Sequence, residues 1–320
     1  MDDVVPPALD LIPPDISTWR QGSDGLDYVH SFDSGRPGPN VVVSSLVHGN
    51  ELCGAIALDR LLSASLRPEA GRLSLAFVNI AAYQRFSAAA PHASRFVDED
   101  FNRLWAPDIL EGTRQSRELE RARALRPLFD AADLLLDIHS MSTTTEPLLM
   151  AGPADKGVAL ARRLGLPVTI VRDSGHAAGP RLRDYGPFID PASPRNALLV
   201  ECGHHFAADS ARVALQAALR FLVAAGSLSQ ATARRHGMSD DTATSAPRII
   251  EVTERVTAES PDFAFVRPFK GMDVVREAGT VIARDRGAPV VTPYDNCVLI
   301  MPVAHPQAGA TAVRLGREVD

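Results

Sequence analysis

The chain has 320 residues, enough to bury a substantial core in one large domain or in a large and a small one. Its hydrophobic content of 45% is ordinary for a globular protein, and a formal charge of −6 with no basic block excludes the electrostatic footprint of a nucleic-acid binder. The partner this composition points to is a small molecule.

The start, MDDVVPPALDLIPPDIS, is acidic and proline-punctuated and lacks the basic beginning and apolar core of a secretory signal. Apolar runs follow at 40–47 (NVVVSSLV), 72–80 (RLSLAFVNI), 133–139 (DLLLDIH), 167–171 (PVTIV) and 196–202 (NALLVEC). Continuous rather than alternating apolarity predicts strands covered on both faces, as in a mostly parallel or mixed sheet. Between them, 54–66, 116–132 and 156–166 space apolar residues three and four apart, as helices do, and the last ends at a glycine stop. The longest apolar stretch, 213–226, is too short to span a bilayer and carries Arg220, so it reads as a buried helix. Beyond Gly226 a polar Ser/Thr/Ala-rich segment reads as a loop or boundary, followed by short strands and turns such as EAGT and PYDN. The predicted architecture is an α/β catalytic domain over 1–240, with helices on both faces of its sheet, and a small all-β domain over 241–320. That tail could cover a pocket or join subunits of a homo-oligomer.

Cys53, Cys202 and Cys297 are odd in number and widely spaced, which predicts a reducing compartment, most simply the cytoplasm. Cys202 as a thiol nucleophile is weighed against its alternation with Glu201 along a strand, which points it to the other side.

Three runs place ionisable groups where predicted strands end: His48 with Glu51 in HGNE, His139 in DIHS, and Glu201 in VECG. In open α/β sheets ligands bind outside the carboxyl ends of the strands. His-x-x-Glu alone is a weak signal, but with His139 it makes the two-histidine, one-glutamate set of a catalytic zinc site with one position left open, one zinc per chain. Asp137, two residues before His139, either orients its imidazole or caps a neighbouring loop. Glu201, ending an apolar strand, is placed to act as general base and acid, or else is a structural carboxylate paired with Arg95 or Arg103. The run SRFVDEDFNRLW (94–105) gathers Arg95, Asn102 and Arg103, a guanidinium fork and an amide suited to a substrate α-carboxylate, with Arg95 able to stabilise an oxyanion.

The ordered set HGNE, R…DxDFNR, DIHS and VECG resembles the succinylglutamate desuccinylase/aspartoacylase family, within the zinc carboxypeptidase-like group, over most of residues 40–205. The resemblance implies zinc on His48, Glu51 and His139, Glu201 as base and acid, Arg95 at the scissile carbonyl, and Asn102 with Arg103 at the α-carboxylate. It also makes Tyr294, in TPYDNC, the candidate for a tyrosine lent to the substrate pocket, against a simple hairpin-turn role. One departure stands out. Relatives acting on N-acetylaspartate carry an arginine ten positions before the catalytic glutamate to grip a second carboxylate, and Pro191 occupies that place here. Arg181, Arg183 or Arg195 are possible substitutes, and His204 and His205 either line the pocket or cap the strand end.

The implied activity is zinc-dependent hydrolysis of a small N-acyl amino acid or related amide. Its alternatives are a carboxypeptidase trimming peptide C-termini and a metal-bound binding protein without turnover. A lipoyl-type carrier role for the tail is disfavoured, since its PYDN turn has no lysine.

Overall fold

The computed structural model describes residues 9–176, 178–243 and 245–319, so the first eight residues of the acidic start lie outside the described residues. In chain order the elements are β1 (Val29–Asp33), β2 (Asn40–Ser45), α1 (Leu52–Ser63), β3 (Arg72–Phe77), α2 (Ile80–Tyr83), α3 (Pro107–Glu111), α4 (Arg117–Asp130), β4 (Leu134–Met141), β5 (Leu148–Met150), α5 (Asp155–Leu164) and β6 (Thr169–Arg172). Then come β7 (Asn196–His204), α6 (Ala208–Ala224), α7 (Gln230–Arg235), β8 (Arg248–Thr257), β9 (Ala264–Phe265), β10 (Asp273–Val275), β11 (Val281–Asp285), β12 (Ala288–Val291), β13 (Cys297–Ile300) and β14 (Thr311–Val319).

Eleven strands form one mixed sheet in the order β1-β3-β2-β4-β7-β5-β6-β8-β14-β13-β10. Strands β3, β2, β4 and β7 are mutually parallel, β5 runs antiparallel to β7, and β6 and β8 continue parallel to β5. The C-terminal region is all-β, as expected. Four of its strands extend the central sheet through the β6–β8 pairing, while β12, β11 and β9 make a separate three-stranded antiparallel sheet.

Side-chain alternation splits the core. Val41, Val43, Leu136, Ile138, Leu198 and Val200 pack under α1, α5 and α6, whereas Val42, Leu135 and Ala197 pack under α4. Both faces are therefore covered, which is why these strands read as unbroken apolar runs. Cys202 belongs to the first layer with Cys53, and burial pushes its thiol well above the ordinary range, so it is no nucleophile.

The structure corrects two boundaries. Helix α1 begins at Leu52, two residues before the predicted start, because Glu51 is its N-cap residue. The polar segment after Gly226 is not all loop: Ser229 caps α7 by accepting from the Thr232 N–H, and Glu69 takes the Ser229 N–H, holding that short helix on the domain.

Candidate metal and catalytic site

The site forms at the carboxyl ends of β2, β4 and β7. After β2 the chain turns sharply at Leu46, a buried residue with φ 58°, and the following HGNE segment leads directly into α1. Gly49 is required there by space: a Cβ would lie 2.4 Å from the Ala82 carbonyl carbon and 2.5 Å from Ser94 O. Glu51 makes no side-chain cap to its own helix, and its carboxylate turns into the site instead.

His48, Glu51 and His139 are all buried, and one ligand atom from each falls within 4.8 Å of the others. The Nδ1 atoms of both histidines converge on the Glu51 carboxylate, 2.7 Å from Oε1 for His48 and 2.9 Å from Oε2 for His139. His139 Nε2 lies 2.8 Å from Asp137 Oδ2, and His48 Nε2 lies 2.9 Å from both Asp100 Oδ1 and Arg95 Nη2. Asp137 is itself fixed by the Ser44 hydroxyl, which donates to it at 2.7 Å. When His139 donates from Nε2 to Asp137 and His48 from Nε2 to Asp100, the two Nδ1 lone pairs and Glu51 present a buried N,N,O donor set, and that set can hold a divalent metal. Alone, the cluster is strongly polarised. Burial would raise the Glu51 pKa, but His48 and His139 outweigh it and hold the carboxyl well below its usual range. Burial would lower the His139 pKa, but Asp137 and Glu51 drive it well above its usual range.

Glu201 pairs with His139 in register across β7 and β4, so the two side chains share one face. Its Oε2 is buried with no hydrogen-bond partner among the described residues. Burial raises its pKa to about 8, with Glu51 adding to the rise and His139, Arg181 and Arg95 opposing it. A direct pairing of Glu201 with Arg95 or Arg103 is not seen. Those arginines go to Asp100 instead, with Arg95 Nη2 donating to Asp100 Oδ2 at 3.1 Å and Arg103 Nη2 at 3.8 Å from the same oxygen.

The 94–105 segment reaches the site because Glu118, a fully buried residue of α4, accepts from the backbone N–H groups of Val97 and Asp98. Arg95 Nη1 lies 3.6 Å from Glu51 Oε1, at the edge of the metal set. Asn102 is buried, its Oδ1 accepting from Leu182 N–H at 2.7 Å, and Arg103 Nη1 donates to the Asn102 carbonyl at 2.6 Å. Asp100 is the residue that sequence reading missed. It begins the short 3-10 turn 101–103, accepts from Asn102 N–H, and joins His48, Arg95 and Arg103. The only signal for it was its place within DEDFNR.

Other candidates lie elsewhere. Tyr294 shares a 2.5 Å hydrogen bond between its hydroxyl and Thr253, Arg317 stacks over its ring, and it packs on the C-terminal cluster that includes Val256 and Leu315. Arg183 pairs with Asp184 and donates to the Ala151 and Ala197 carbonyls, and Arg195 donates to the Asp130 carbonyl. Arg181, by contrast, is buried beside Asp173 and within electrostatic reach of Glu201. His204 accepts from Phe206 N–H at the strand end, while His205 shares a hydrogen bond with Ser140, and burial drives its pKa down to about 3, keeping it neutral.

Comparison with known proteins identifies the family and the fold. The model of the succinylglutamate desuccinylase/aspartoacylase catalytic domain matches residues 37–223. A probable aspartoacylase of Parasynechococcus marenigrum (strain WH8102) is 33% identical over 141 residues, which span 40% of this chain and 44% of that relative, less than half its length. Among solved structures, succinylglutamate desuccinylase from Vibrio parahaemolyticus superposes with a TM-score of 0.65 at 16% identity, covering 92% of this chain and 87% of that one. An aspartoacylase family protein from Mesorhizobium loti gives 0.62 at 19% identity, covering 94% and 93%. The ectoine utilization protein of Ruegeria pomeroyi gives 0.60 at 18% identity, covering 93% and 92%. These structural likenesses carry the fold. Among the described residues, no helix is long and apolar enough to cross a membrane.

Proposed function

The chain belongs to the succinylglutamate desuccinylase/aspartoacylase family, and from that premise we propose that it is a zinc-dependent amidohydrolase that removes the acyl group from small N-acyl amino acids. The observation that carries the reading is Glu201: a half-buried residue whose Oε2 is out of solvent and without a hydrogen-bond partner among the described residues, in register beside His139 of the donor set. A structural carboxylate with one oxygen shut away from solvent would pair that oxygen, whereas a general base must keep an oxygen free for water.

His48, Glu51 and His139 would hold the zinc, which when bound supplies a Lewis acid and lowers the pKa of water at the site. Asp137 and Asp100 fix the tautomers that leave both Nδ1 atoms available. Asn102 and Arg103 would receive the substrate α-carboxylate, which would set the amide between Arg95 and Glu201. Glu201 takes a proton from the attacking water as the carbonyl carbon becomes tetrahedral. Arg95 stabilises the negative oxygen, and Glu201 returns the proton to the amine as the C–N bond breaks, giving a free amino acid and a carboxylate.

The test is amine release by zinc-loaded protein from a panel of N-acetyl and N-succinyl amino acids, with C-terminally free peptides for comparison. Release from the small substrates supports the reading, and trimming of peptides instead replaces it with a carboxypeptidase. Glu201→Gln should retain zinc by elemental analysis yet lose on the order of 1000-fold in kcat.

A further inference from the structure

We propose that the cleft between α2, α4 and the segment leading into β1 binds a small phosphomonoester, at a site separate from the metal and catalytic residues; the proposal does not depend on the deacylase reading. The cleft encloses about 490 Å³, within the roughly 300–1,000 Å³ of small-molecule sites. None of the metal or catalytic residues lines it.

Its charge is one-sided. Arg20, Arg117 and Arg121 line it against a single carboxylate, that of Asp27. Asp27 Oδ2 lies 3.5 Å from Arg20 Nε, so those two charges answer each other. Arg117 and Arg121 stand four positions apart on α4 and share one helix face, where like charges repel. The exposed Arg117 side chain has no acceptor among the described residues, and only its backbone N–H is engaged, by Asp98 Oδ2 at 2.8 Å. Arg121 is half-buried. Its Nε donates to the Val78 carbonyl at 2.9 Å, and its Nη2 to the carbonyls of Asp27 at 2.8 Å and Phe77 at 3.1 Å. These carbonyls fix the guanidinium in place without bringing a negative charge to it, and no carboxylate pairs with it among the described residues. A desolvated cation without a counter-anion is costly, and an anionic ligand relieves the cost.

Two unanswered positive charges match a phosphate dianion, whose oxygens guanidinium forks bind in pairs. A dicarboxylate carries the same charge but divides it between two ends, whereas Arg117 and Arg121 are neighbours on one helix face. Tyr28 and Ile80 supply an apolar wall for the organic part of an ester.

The same turns of α4 hold the segment that carries Arg95, Asn102 and Arg103. Glu118, next to Arg117, accepts from the Val97 and Asp98 N–H groups and from Asn79 Nδ2 at 3.1 Å, and Asn79 lines the cleft. An anion that fixes Arg117 and Arg121 therefore steadies residues 94–105 through Glu118.

The experiment titrates zinc-loaded protein with ribose 5-phosphate, inorganic phosphate and succinate by calorimetry at constant ionic strength, for wild type, Arg117→Gln, Arg121→Lys and Arg103→Gln. Ribose 5-phosphate should bind more tightly than inorganic phosphate, and both more tightly than succinate. Arg117→Gln, at an exposed position that spares the fold, should weaken ribose 5-phosphate about 10-fold, the worth of one charge-assisted hydrogen bond. Arg121→Lys, which keeps the charge and loses the fork, should weaken it similarly, and Arg103→Gln should leave it unchanged. Hydrogen exchange across 94–105 should slow when ribose 5-phosphate is bound. No binding, or binding unchanged in folded Arg117→Gln and Arg121→Lys, would overturn the site. Loss in Arg103→Gln alone would also overturn it, by placing the anion in the catalytic pocket. Equal affinity for ribose 5-phosphate and inorganic phosphate would overturn the ester in favour of free phosphate, and succinate binding as tightly would overturn the choice of phosphate. Unaltered exchange with ligand bound would overturn the link to 94–105.

Discussion

Asp100 and His48 are 52 residues apart in the chain, yet Asp100 Oδ1 lies 2.9 Å from His48 Nε2 while its other oxygen receives Arg95. One carboxylate therefore holds both the proposed metal ligand His48 and the proposed oxyanion donor Arg95. Asp100→Ala should weaken zinc binding about 10- to 100-fold in competition with a chelator. Turnover at saturating zinc should still fall, because Arg95 loses its anchor. Full recovery of kcat at high zinc would confine Asp100 to the metal ligand alone.

Removing the metal should abolish turnover, and adding back zinc should restore it. Because the three donors are preassembled in the fold, zinc binding should also stabilise it, by about 4 kcal/mol when free zinc is 1000 times the dissociation constant. A thermal melt with and without chelator reads this directly. An unchanged Tm would argue against a structural tie between ion and fold.

Gly49→Ala tests the turn that delivers His48 and Glu51. The added Cβ would meet the backbone of Ala82 and Ser94 at 2.4 and 2.5 Å, and backbone cannot swing aside as a flexible side chain can. The variant should lose about 3 kcal/mol in urea unfolding, and its zinc stoichiometry should fall. A stable variant with full zinc would mean that the turn relaxes without cost.

Asp173 makes stability depend on pH in a defined direction. Burial alone would raise its pKa, but Arg181 and Arg314 outweigh it, so the folded value lies below the unfolded one. The contribution is therefore present above the unfolded pKa of about 3.9 and is lost as pH falls through the folded value. Asp173→Asn, which leaves two buried guanidiniums without their shared anion, should cost about 3 kcal/mol at neutral pH. The gap between wild type and variant should narrow below about pH 4. Denaturant unfolding across this range checks both statements, and a gap that widened in acid would contradict the sign.

Tyr294→Phe should leave kcat/KM within about two-fold, since the hydroxyl is engaged by Thr253. A loss of 100-fold would return Tyr294 to the substrate pocket.

By itself the sequence determined the elements, and with them much of the site. Local apolar pattern makes 40–47, 133–139 and 196–202 strands, and a strand's end fixes where its next polar residue stands, so His48, Glu51, His139 and Glu201 could be grouped from their places in the chain. The tertiary structure alone decided which carboxylate serves which cation. Asp100 belongs to His48 and Arg95 rather than to solvent, Asp137 holds His139, and Glu201 stays unpaired while Arg95 and Arg103 turn elsewhere. It also decided that Arg314 meets Asp173 across 141 residues, because β14 enters the sheet beside β8 and β8 beside β6. Hydrophobic periodicity is a property of neighbours in sequence and reports faces and ends. Strand order and ion pairing are set by the packing of whole layers, and no local run of residues contains that information.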